Sequence, residues 1–283
     1  MDIGVGLPNP VPGVPGRTLI EWARRAEELG FATLATIDRI AYPSYESLIA
    51  VAAAAAVTAR IGLLTNIILA PARNPVLLAK EAASVDQISG GRLTLGYGVG
   101  GRPDDFAAAG QGFRDRGRRW DRDLEIIHRA WAGELVEGAL KPVSPTPVRG
   151  TVPLLGGGTA DRAIARAVKW GIGWTAGGAG PDRAGAVAER VREAWKTAGR
   201  EGRPRIVCLQ YFALGDQAEE RAAAYLGDYY GDWGQGMAAG IPKSLETLRE
   251  TTSAFEAIGA DELIFDPTIG DIEQVELLAD AVL

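Results

Sequence analysis

A chain of 283 residues with 47% hydrophobic content can bury a large core, and fits one large α/β domain or two small ones. Its formal net charge is -6, and the one basic cluster, RDRGRRWDR, is interleaved with aspartates, which argues against a nucleic-acid partner needing a clustered cationic face. A single cysteine, Cys208, excludes a disulfide framework and a thiolate metal site. With no leader-like start and no apolar run long enough to span a bilayer, the expectation is a cytoplasmic chain with no membrane role.

The first apolar run, IGVGL, predicts a strand. Leu19, Trp22, Ala26 and Leu29 recur at helical spacing, Gly30 is placed as a C-terminal cap, and ATLATI follows as the second strand. IGLLTNIIL predicts the third. Asn74 and Pro75 open the next helix, the asparagine as cap and the proline at the first helical position, and Gly90 and Gly91 close it before LTLGYGVG, the fourth strand. RPDDFAAAG then follows without a strong helical signal, and LEIIHRAW reads as a helix with Leu124, Ile127 and Trp131 on its inner stripe. Residues 133–153, rich in proline and glycine, break the rhythm and read as an insertion after the fourth β/α unit. VPLLGG, GWTAG, IVCLQYFAL and ELIFDP complete eight strands.

Near-continuous apolar strands alternating with helices demand a parallel sheet covered by helices, and eight such units over this length predict a (β/α)8 TIM barrel, one domain over residues 1–283. Gly96, Gly98 and Gly101 also match G-x-G-x-x-G, with Asp121 about twenty residues on. A dinucleotide loop would place those glycines between the first strand and a helix, whereas Gly96 and Gly98 fall inside the fourth strand. Glycine there suggests close approach of a ligand at the strand's end, or small residues fitted to a crowded barrel interior.

The blocks ELGFATLATIDR, TARIGLLTNIILAPARNPVLLAKEAASVDQISGGRLTLGYGVGG and VPLLGGGTADRAIARAVKWGIGWTAGG resemble the bacterial-luciferase-like flavin-dependent oxidoreductases and monooxygenases over almost the whole chain. Leu78, Ala79, Glu81, Asp86, Ser89, Gly91 and Arg92 stand at the positions of that family's helix-and-turn pattern. The resemblance implies a barrel with a flavin or deazaflavin ring at its C-terminal mouth, reduced FMN with dioxygen or the deazaflavin coenzyme F420 as cofactor, and a small organic substrate. It also implies a separate flavin reductase as partner and a homodimer. A barrel that binds flavin without turnover, as a non-catalytic subunit, is the reading from another class.

Site residues follow on these two grounds. Gly156, Gly157, Gly158 and Thr159 end the fifth strand and open a helix, so their amides and the Thr159 hydroxyl suit a phosphate, the plain alternative being Thr159 as helix cap. The resemblance places a non-proline cis peptide at Thr65, Asn66 and Ile67, between Asn66 and Ile67, beneath the ring; Asn66 could instead satisfy a neighbouring carbonyl. Asp38 and Arg39 end the second strand, with arginine where the family frequently has a catalytic histidine. An arginine cannot exchange protons near neutrality, although its paired donors stabilise anions, and the plain alternative is a surface ion pair. Tyr97, Trp174 and Tyr211 are expected near strand ends, Tyr97 as a catalytic hydroxyl and Trp174 as a wall of the cofactor site. Tyr225, Tyr229, Tyr230 and Trp233 suggest a mobile cover or a subunit contact. His128, the only histidine, reads as a partly exposed helix residue, no metal site is expected, and no G-x-S-x-G elbow supports a serine hydrolase.

Overall fold

Each of the eight apolar runs forms a strand: β1 (Asp2–Gly6), β2 (Thr33–Thr36), β3 (Gly62–Leu69), β4 (Leu93–Gly98), β5 (Leu154–Gly157), β6 (Gly173–Thr175), β7 (Arg205–Phe212) and β8 (Glu262–Pro267). In the computed structural model, which describes residues 1–283, all pair in parallel and in sequence order, and β8 closes onto β1. This is a TIM barrel, and its closure leaves no sheet edge to cap.

The helices between the strands follow their local signals. In α1 (Gly16–Leu29), Leu19, Trp22 and Ala26 are buried, and Gly30 ends the helix in the left-handed conformation that glycine adopts without penalty. After α2 (Ser47–Val57) comes α3 (Pro75–Ser89), where the Asn74 side chain accepts from the amides of Val76 and Leu77 and Gly90 caps the far end. A short helix, α4 (Pro103–Ala108), forms directly after β4, where RPDDFAAAG carries no strong helical signal. Pro103 opens it, and Asp104 and Asp105 lie in its first turn, where carboxylates suit the positive helix end. The remaining helices are α5 (Arg116–Trp131), α6 (Asp161–Trp170), α7 (Pro181–Thr197), α8 (Ala218–Tyr230), α9 (Asp232–Gly240), α10 (Leu245–Ala257) and α11 (Glu273–Val282).

Side chains alternate across each strand, so inward residues stack in layers along the barrel axis. Ala35, Leu64, Leu155, Val207 and Ile264 make the central plug, all essentially inaccessible. Below it, Glu262 pairs with Arg205 at 2.6 Å. Above it lies the mouth. Residues 133–153 carry neither helix nor strand and are tied to α3: Lys80 and Gln87 donate to the carbonyls of Ser144 and Thr146, and the buried Asp86 accepts from the Val148 amide at 2.7 Å.

Candidate active site at the barrel mouth

β3 and β4 shape one side of the mouth. Their register shifts between Thr65 and Ile68, the Asn66–Ile67 peptide is cis, and the Thr65 hydroxyl donates to the Gly96 carbonyl at 2.8 Å. A Cβ on Gly96 would lie 2.1 Å from the Thr65 carbonyl oxygen, so the close approach that demands glycine here is that of the neighbouring strand. Gly98 faces the Ile67 side chain instead, 2.7 Å from the position of a Cβ. Asn66 is buried; its Oδ1 accepts from Thr175 at 2.6 Å, while its Nδ2 has no partner. An unpaired buried amide donor costs free energy, and in a binding site it is an unmet contact for a ligand.

The end of β2 is more occupied than the sequence suggested. Asp38 accepts from the Leu69 amide at 2.8 Å and from Arg73 at 3.0 Å, and Arg73 also pairs with Glu46 at 2.8 Å. Burial pushes the Asp38 carboxyl up, while the Arg73 charge and the Leu69 amide pull against it. The Arg39 side chain is 7% exposed, not spread on the surface: Nε donates to Asp105 at 2.7 Å and Nη2 to Asp104 at 2.9 Å, with the Tyr42 and Tyr229 rings 5.4 and 5.6 Å away. Most of its fork is therefore spent on α4. Asp105 in turn accepts from the amides of Ile40 and Ala41, both at 2.8 Å.

Tyr97 does not reach the mouth. Glycines 96 and 98 face inward on β4, so Tyr97 faces outward, against Trp120 of α5 with ring centroids 5.2 Å apart. Burial drives its hydroxyl well above the usual tyrosine value. His128 lies on α5, stacked on Trp170 at 4.7 Å, and burial lowers its pKa.

Thr159 and Trp174 do meet. They line a cavity of about 210 Å³ together with Gly177, Arg183, Tyr230 and Trp233. Gly158, with φ of 106°, turns the chain between β5 and α6, and its carbonyl is fixed by the Trp174 indole at 2.8 Å. Of the other two glycines, Gly156 packs under Ala167 of α6 and Gly157 lies beside Ile67. Ala160, not Thr159, caps α6, which leaves the Thr159 hydroxyl uncommitted. Arg183, in the first turn of α7, forms no ion pair or side-chain hydrogen bond, and nothing in its local sequence distinguished it from the other surface arginines.

A cover closes the mouth. Ile37, Leu209, Tyr211, Tyr225, Leu226, Tyr229 and Ile241 form one apolar cluster, built from the residue after β2, from β7 and α8, and from the segment after α9. Tyr211 and Tyr230 share a hydrogen bond at 2.7 Å, and Arg102 donates to the Tyr229 carbonyl at 2.8 Å while lying 4.7 Å from its ring. Beneath the cover, Asp266 of β8 is fully inaccessible, and neither carboxylate oxygen has a partner. In the sequence it is hidden within ELIFDP, where an acid two positions beyond an inward isoleucine is nonetheless a readable signal.

Known proteins agree with this architecture. Two Mycobacterium tuberculosis proteins are similar in sequence: an uncharacterized protein, 30% identical over 64% of this chain and 72% of its own, and a protein named among the coenzyme F420-dependent oxidoreductases, 28% identical over 92% and 86%. Among solved structures, an F420-dependent secondary alcohol dehydrogenase in complex with an F420-acetone adduct superposes with a TM-score of 0.79 at 16% identity over 99% of this chain and 98% of its own. The FMN complex of a 3,6-diketocamphane monooxygenase component from Pseudomonas putida gives 0.75 at 19% identity, over 99% and 96%. The profile of the family described as luciferase-like monooxygenase matches residues 1–280, and the chain belongs to that family.

Proposed function

We propose that this chain is an oxidoreductase that takes reduced FMN at the barrel mouth and uses it, with dioxygen, on a small organic substrate. The observation that carries the reading is the cavity of Thr159, Trp174 and Arg183: one uncommitted hydroxyl and one uncommitted cation beside the start of a helix, beneath an aromatic wall. The Asp161 and Arg162 amides that open α6 have no acceptor within the helix, so with Thr159 and Arg183 they match a phosphate monoester. The reduced flavin, when bound, supplies two electrons for the reaction. The chain's part is to hold it and to keep water out: Trp174 walls the site, the Asn66 Nδ2 offers a donor, and the tyrosine-rich cover shields the mouth.

The second reading is hydride transfer with the deazaflavin coenzyme F420, favoured by the mycobacterial relative that aligns over 92% of this chain. The single cation on the cavity wall argues for the smaller cofactor, whose only anionic group outside the ring is one phosphate monoester. In both readings Arg39 serves by position, holding α4 against the end of β2, and not as a proton donor.

Titration of the purified protein with reduced FMN, riboflavin and reduced F420 tests the choice. Arg183→Ala should weaken FMN binding about tenfold and riboflavin binding little, since only FMN presents the phosphate. Equal losses for the two would refute the phosphate site, and affinity for F420 alone would establish the second reading. Arg183 is a cleaner probe than Gly158, where any side chain would strain the positive φ whatever the ligand.

A further inference from the structure

On β7, Leu209 and Tyr211 face the mouth, so Ile206, Cys208, Gln210 and Phe212 face out, against the helices. Three of these four are apolar and fully buried, whereas Gln210 is polar, half-buried and without a hydrogen bond to the rest of the chain. A polar side chain so placed calls for a partner. Gln210 lines a cavity of about 480 Å³, bounded by the start of α7, by α9 and the residue after it, and by α10. That volume suits a small molecule. Gly178 borders both this cavity and the one at Thr159, packs against Tyr211 and Met237, and keeps the two apart.

The polar lining favours acceptors. Glu250 of α10 is the only charged side chain on the wall, and it forms no ion pair and no hydrogen bond. Beside it, the Thr251 hydroxyl donates to the Thr247 carbonyl at 2.7 Å, which leaves only its lone pairs for a ligand. The C-terminal end of α9, at Gly240, adds the negative end of a helix. The positive end of α7 lies on the wall too, but Pro181 has no amide proton to offer and Asp182 stands in the same first turn. Met237, Ile241 and Ala254 supply the apolar remainder.

We propose that this cavity is a second binding site, separate from the mouth, for a small organic cation: a primary ammonium on an apolar body. The three N–H groups of the ammonium match the Glu250 carboxylate, the Thr251 hydroxyl oxygen and the Gln210 side-chain carbonyl, and the body lies on Met237 and Ile241. An anion is disfavoured because no lysine or arginine lines the cavity and Glu250 repels it. An uncharged alcohol forgoes the charge-assisted bond to Glu250. The site stands independently of the reading of the mouth, and its test needs no cofactor.

The test is calorimetric titration of the full chain near neutral pH, without flavin, with cyclohexylamine, cyclohexanol and cyclohexanecarboxylate. Cyclohexylamine should bind with one-to-one stoichiometry, about tenfold or more tightly than either of the others. Glu250→Gln should weaken it about tenfold and Gln210→Leu about threefold. Glu250 is exposed on a helix, so its variant keeps the fold. Glu246→Gln, one turn earlier on α10 and outside the cavity, should change the affinity less than about twofold. Ala254→Trp, which fills the cavity, should abolish binding with the charge of the wall unchanged. No saturable binding of the amine, equal affinity for cyclohexanol, or binding retained in Ala254→Trp would each overturn the proposal. Equal losses at Glu246 and Glu250 would overturn it too, by showing attraction to an acidic surface in place of a site.

Discussion

Gly96 and Gly98 occupy equivalent inward positions on β4, yet what a side chain would meet differs. At Gly96 it would strike the Thr65 carbonyl, which is backbone, on a strand whose Thr65 hydroxyl donates to the Gly96 carbonyl; at Gly98 it would strike only the tip of Ile67. Gly96→Ala should therefore cost about 1–3 kcal/mol, seen as a lower denaturation midpoint, and Gly98→Ala clearly less, because a side-chain tip can rotate and a ladder carbonyl cannot. A smaller loss at Gly96 than at Gly98 would contradict this geometry. The sequence announced that these glycines mattered but not to whom, because the neighbour that crowds Gly96 is thirty-one residues away. For the same reason, Arg39 and Tyr97 were legible as positions at strand ends and not as contacts. Whether Tyr97 faced in or out turned on the phase of alternation in β4, and the acids that occupy Arg39 come from a helix with a weak signal.

Among the elements, the pattern residues of α3 and the turn after it hold the frame together. Ser89 accepts from the Arg92 amide, and Arg92 spreads its guanidinium over the carbonyls of Ala55, Thr58 and Ile61, finishing α2 and starting β3. Asp86 points the other way and holds residues 133–153 through the Val148 amide, its carboxyl pushed up by burial. Removing that acceptor leaves a part-buried amide unpaired, so Asp86→Ala should cost about 1–3 kcal/mol and expose residues 133–153 to limited proteolysis while the rest of the chain resists. Unchanged cleavage with lowered stability would show that Asp86 serves α3 alone. The caps Gly30, Asn74 and Gly90 were readable because they act within one turn of their helix. The anchoring of residues 133–153 was not, since nothing in a proline-rich stretch names the helix it lies on.

At the scale of the molecule, the barrel divides into a sealed end and a covered one. The plug and the Glu262–Arg205 pair close the N-terminal end, whereas the mouth is covered by α8, α9 and the segments packed on them. The cavity at Thr159 is, at about 210 Å³, smaller than the roughly 300–1,000 Å³ of ordinary small-molecule sites, so a ring system is admitted only when the cover shifts. Hydrogen exchange should show residues 218–240 exchanging faster than the barrel strands in the free protein, and slowing most when reduced FMN binds. Protection gained equally across the fold would argue for a rigid mouth.

Asp105 gives that cover a direction. By accepting from Arg39 and from the amides of Ile40 and Ala41, it welds α4 to the loop after β2. The C-terminal end of α8 is moored to the same block, through Tyr42 to Asp228 and Arg102 to the Tyr229 carbonyl. Just beyond that mooring, Trp233 packs on Tyr230 with ring centroids 5.0 Å apart, is 56% exposed and lines the cavity together with the unpaired Arg183. On the proposed function, a phosphate entering between Trp233 and Arg183 would meet its counter-charge at the doorstep, beside the rim to which the cover is fastened.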